Sequence, residues 1–126
     1  MIRRVGRGLR WTAALHAVFG LWFYADPVLA TLQDGLVAAV DPHVDRRLAF
    51  WFLLYSPVLW ILGDEFDHGL EAGQLPLLRR LTRLLVGMGG VGAALMPVSG
   101  FWLVLGLGML AWLGLQRPFQ QLDVSP

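Results

Sequence analysis

Residues 84–116 are 33 consecutive positions without a charge, and only Ser99 and Gln116 among them are strongly polar. A helix that packs in a soluble protein keeps a polar face toward water, and this stretch supplies none. One unbroken helix of that length would run about 50 Å at ~1.5 Å per residue, well past a hydrocarbon core of ~30 Å. The stretch is therefore read as two helices. Met96-Pro97-Val98-Ser99-Gly100 provides the break, because Pro removes a backbone donor and Gly permits turn geometry.

Two further apolar runs cover residues 11–25 and 48–63. All four runs are 15 or 16 residues long, short of the ~20 that a full span takes, a deficit that snorkelling arginines and helix ends in the headgroup layer can cover. Any one alone would fit a buried core helix. Together they leave too little polar surface: 56% of the chain is hydrophobic and only 15% charged, against an apolar share of roughly 45–50% in soluble domains. The expected fold class is all-α, an integral membrane bundle of four transmembrane helices forming one domain over residues 1–126. The helices are placed at 9–25, 42–66, 80–97 and 99–116. Asp41-Pro42 reads as an N-cap with Pro at the first helical position. Asp26-Pro27 has the same form and is expected to open a short interfacial helix between helices one and two, with Val28, Leu29, Leu32 and Leu36 on the membrane.

Arginine placement gives the orientation. All ten basic residues are arginine, and cytoplasmic loops carry the excess of positive charge. Arg3, Arg4, Arg7 and Arg10 precede the first run, Arg79, Arg80 and Arg83 the third, and Arg117 follows the fourth; only Arg46 and Arg47 fall on the other side. Both termini are thus expected in the cytoplasm and the chain in the bacterial inner membrane. Trp11, Trp22, Tyr24, Trp51, Trp102 and Trp112 lie near the ends of the runs, where aromatic belts form. A secretory signal ending at Val28-Leu29-Ala30 is the competing account, and the apolar run is at the long end for one.

Without cysteine the chain has no disulfides, thiol chemistry or Cys-based metal sites. A net charge of +1 argues against a nucleic-acid surface. Ala49-Phe50-Trp51-Phe52-Leu53 after paired arginines, Leu15-His16, and Met96-Pro97-Val98-Ser99-Gly100-Phe101-Trp102-Leu103 together resemble a bacterial family of small four-helix membrane proteins, the domain of unknown function 6463. The resemblance extends over roughly residues 9–115. It implies the same topology and assigns no catalytic residue.

The candidate binding residues are His16, Ser56 and Thr12. His16 is expected near mid-membrane, with Thr12 and Gly20 one turn away on the same face. Polar groups at that depth face the interior, either as packing hydrogen bonders or as a ligand, proton or cofactor site. Ser56-Pro57 lies halfway along the second helix, where proline frees the Leu53 carbonyl and Ser56 could meet His16 or close its own kink. Asp64, Glu65 and His68 are weak metal candidates. Glu65 and His68 have the i, i+3 spacing of carboxylate-bridged di-metal proteins, which need two such motifs. The blander reading pairs these acids and Glu71 with Arg79, Arg80 and Arg83, and no metal is expected. Gly89/Ala93 and Gly90/Ala94 are small-xxx-small pairs, suited to close packing within the chain, to a homo-oligomer through the third helix, or to a lipid tail.

These features favour a non-catalytic multi-pass protein that holds a lipid, another small hydrophobic ligand or a partner subunit. A small transporter or channel subunit is the alternative, although the first run carries no acidic residue. A membrane enzyme or haem protein using His16 is the third reading. No cofactor is called for, and the bilayer is the one partner expected throughout.

Overall fold

The computed structural model describes residues 2–116, and the protein is all-helical over them. After a 3-10 turn at Ile2–Arg4 come α1 (Val5–Phe23), α2 (Ala25–Gln33), α3 (Val44–Glu71), α4 (Leu75–Leu95) and α5 (Phe101–Gln116). The chain divides into two compact units, residues 2–9 with 62–116, and residues 10–61. Arg117, the last arginine of the orientation argument, lies outside the described residues.

Each helix end has a local cause. Pro27 has no N–H to give to the Phe23 carbonyl, so α1 stops there. The chain turns through 75° at Tyr24 and continues as α2. The break falls two residues ahead of Asp26, which sits in the first turn of α2, where a carboxylate complements the helix dipole. Asp41-Pro42 does not cap α3. The two residues form a turn, and α3 begins at Val44, with the His43 carbonyl accepting from Arg47 N–H. That loop is tied by Arg46, whose Nη1 donates to Asp34 Oδ2 at 2.7 Å and to the Ala39 carbonyl at 2.8 Å.

α3 runs past the expected end at residue 66 to Glu71 and closes in a Schellman motif. Gln74 N–H donates to the Gly69 carbonyl and Gly73 N–H to Leu70, with Gly73 at φ +64°. α4 follows with Pro76 in its first turn, so Arg79, Arg80 and Arg83 lie inside the helix. The 96–100 break is held by side chains: Ser99 Oγ donates to the Met96 carbonyl, and Trp102 Nε1 to the Pro97 carbonyl at 2.9 Å.

In the first unit, α4 and α5 form a hairpin on small residues. A Cβ on Gly89 would lie 2.6 Å from Leu105 Cα, one on Gly92 would enter the Phe101 ring, and one on Gly108 would lie 2.9 Å from Val86 N. Leu85, Ala93, Val104 and Ala111 complete the seam. At the start of α1, Gly6 meets the Gly63 carbonyl of α3, 2.7 Å from where its Cβ would stand. In the second unit, a Cβ on Gly20 would touch Leu53 and Phe52 at 2.7 and 2.8 Å, which puts the Thr12/His16/Gly20 face of α1 on α3.

Among the described residues only α3 is by itself long and apolar enough to cross a bilayer, with a mean hydropathy of 1.2 over its best 18 residues; the bent α1–α2 pair would make a second. α5 is apolar throughout but 16 residues long, and α4 carries three arginines. Among the described residues the five α-helices correspond to the four expected runs and the expected short helix between the first two, and the all-α class is what the fold establishes.

Candidate functional site

Two places bring polar side chains out of water. The first lies in the second unit. The His16 ring stands edge-on against Phe52, centroids 4.0 Å apart, and against Tyr55 at 5.6 Å. Phe52 also meets Tyr24 at 5.3 Å, so the histidine sits in an aromatic cluster between α1 and α3. Thr12 is half-buried one turn earlier. Ser56 is buried, and its hydroxyl has no hydrogen-bond partner among the described residues. His16 and Ser56 therefore share no hydrogen bond: aromatic rings flank the histidine instead. α3 passes through Pro57 unbroken.

The acids at the end of α3 are arranged differently from the blander reading. Among the described residues no ion pair joins them to Arg79, Arg80 or Arg83. Arg79 and Arg83, one turn apart on α4, line a cavity with residues of α5. Asp64, Glu65 and His68 occupy the last turns of α3, and no cluster of three or more potential metal-binding side chains occurs among the described residues.

The second place was not anticipated. A cavity of about 610 Å³ opens between the first half of α4 and the end of α5, lined by Arg79, Thr82, Arg83, Trp112, Leu115 and Gln116. Thr82 is 1% exposed and its hydroxyl has no partner among the described residues. Its behaviour contrasts with Thr31, whose Oγ1 donates back to the Pro27 carbonyl at 2.8 Å, the usual local solution for a helical threonine. The only hydrogen bond recorded for either guanidinium among the described residues is a 3.3 Å contact from Arg83 Nε to the Arg79 carbonyl. Positions 79, 82 and 83 have the i, i+3, i+4 spacing of one helix face, so the convergence could have been found in the sequence. The partner residues on α5, 29 or more positions away, gave no such signal.

A smaller, apolar groove of about 280 Å³ lies under α2, against Phe50, Leu53 and Leu54 of α3.

The helices, the apolar exterior and the two polar loci define an all-α protein with no recognisable catalytic constellation among the described residues. The chain belongs to the family of unknown function DUF6463, which it matches over residues 1–118. No curated protein and no solved structure matches it.

Proposed function

We propose that this is a multi-pass protein of the bacterial inner membrane, with both termini in the cytoplasm, that holds a lipid or another small hydrophobic ligand and is not an enzyme. The observation that carries the reading is what the helices leave uncovered. Only 22% of the spanning window of α3 is buried within the protein, whereas the core helix of a soluble protein is mostly buried. α5, without a charge, exposes Trp102, Leu103, Met109, Leu110, Trp112 and Leu113. α1 adds Trp11, Leu15, Val18, Phe19 and Trp22. Soluble monomers rarely expose contiguous apolar patches of more than a few hundred Å², and hydrocarbon is the solvent that suits helices carrying this many exposed large apolar side chains. α5 and the apolar half of α4 reach a span by continuing into the headgroup layer, where Arg79, Arg80 and Arg83 can snorkel.

The test is fractionation followed by mass spectrometry. The protein should stay with membranes through an alkaline carbonate wash, and detergent-purified protein should retain lipid. Release by the wash, or a protein free of any co-purified amphiphile, would overturn the proposal.

A further inference from the structure

We infer that the cavity between α4 and α5 binds the phosphate of an anionic phospholipid in the cytoplasmic leaflet, with Arg79, Arg83 and Thr82 as its recognition groups. The inference rests on the membrane reading above and deepens it by naming the ligand class.

Three observations converge on an anion. Arg79 and Arg83 present two guanidinium groups to one cavity, and neither has a carboxylate partner among the described residues. Like charges one helical turn apart repel, and an anion between these two exposed guanidinium groups would lower that repulsion. Guanidinium forks match phosphate oxygens in bidentate geometry. Thr82 then supplies a neutral donor from the wall. A buried hydroxyl without a partner costs free energy, and this threonine does not take the back-bond open to it; a phosphate oxygen would accept its proton. Gln116 adds an amide from α5.

The rest of the lining indicates that the phosphate arrives on a lipid. Trp112 and Leu115 form the α5 wall, and α5 continues from them as an uncharged, outward-facing helix toward the bilayer. A headgroup in the cavity would leave its acyl chains on that surface. About 610 Å³ falls within the ~300–1,000 Å³ of ordinary ligand pockets. The site lies on the side that the arginine count assigns to the cytoplasm, where anionic lipids meet basic pockets between helices.

The test uses full-length protein in nanodiscs of phosphatidylglycerol or of phosphatidylethanolamine, with bound lipid counted by native mass spectrometry. Phosphatidylglycerol should be retained selectively. Arg79→Gln and Arg83→Gln should each weaken retention roughly 10- to 100-fold, as expected for a charge-assisted hydrogen bond. Thr82→Val, which keeps the shape, should weaken it about 5- to 10-fold. Arg80→Gln removes the same charge from outside the cavity lining and should change little. An equal loss in Arg80→Gln would reduce the effect to general surface charge and overturn the site. Water-soluble glycerol phosphate binding as tightly as the lipid would overturn the lipid source. Retention that ignores headgroup charge and all four substitutions would sink this site while leaving the parent proposal standing; loss of lipids of both kinds from the wild-type chain would sink the parent proposal itself.

Discussion

At the scale of single residues, glycine has two distinct uses in α4. Gly89 lies where the α5 backbone comes within van der Waals reach, whereas a Cβ on Gly90 would meet nothing within 4 Å. The two substitutions should therefore have opposite signs. Gly89→Ala forces backbone apart and should cost about 1–3 kcal/mol, the range for overpacking a tight seam. Gly90→Ala removes only backbone freedom and should stabilise by ~0.5–1 kcal/mol. Thermal denaturation in detergent reads both, and a destabilised Gly90→Ala with loss of a dimer would instead assign that face to a second copy of the chain. His16 shows what a residue's own chemistry leaves open: a lone histidine in an apolar helix can pack or bind, and its neighbours here are the Phe52 and Tyr55 rings, an edge-to-face arrangement of the kind aromatic side chains favour.

At the scale of elements, the α3–α4 connection is set by one backbone conformation. Gly73 holds φ +64° and lets two carbonyls of the last turn of α3 find donors. An L-residue pays roughly 1–2 kcal/mol for that region, so Gly73→Ala should lower stability by about 1 kcal/mol. Gly73→Asn, a residue that visits this conformation more readily, should lose less, and circular dichroism melts would separate them. Equal melts for all three proteins would show that the cap contributes nothing. The helix boundaries illustrate the same point in the other direction. Asp41-Pro42 has the local chemistry of a helix start, yet Arg46 pulls the loop back onto Asp34 and Ala39, and α3 starts later. A capping preference of about 1 kcal/mol is small enough for the loop's own hydrogen bonds to shift where the helix starts.

At the scale of the whole molecule, the arginine asymmetry makes the strongest prediction. Reporter fusions after Gly73 and at the C-terminus should report the cytoplasm, and one near Asp34 the outside. A cytoplasmic signal near Asp34 would reverse the topology. Much of the architecture was legible in the sequence: the all-α class, the break at Met96-Pro97-Val98-Ser99-Gly100 and the short helix containing Pro27 follow from apolar runs and from what proline cannot donate, because these are properties of neighbouring residues. The family, too, shows in strings of adjacent residues. The cavity between α4 and α5 does not. Arg79 and Arg83 look in sequence like half of an ion-paired loop, and only the docking of α4 on α5 through Gly89, Gly92 and Gly108 turns them toward Trp112 and Gln116. The same docking buries Thr82, although nothing in its own sequence neighbourhood marks it as different from Thr31. Sequence determines what a segment can do along its own axis; which side chains it meets across a seam depends on contacts between residues far apart in the chain, and those exist only once the helices pack.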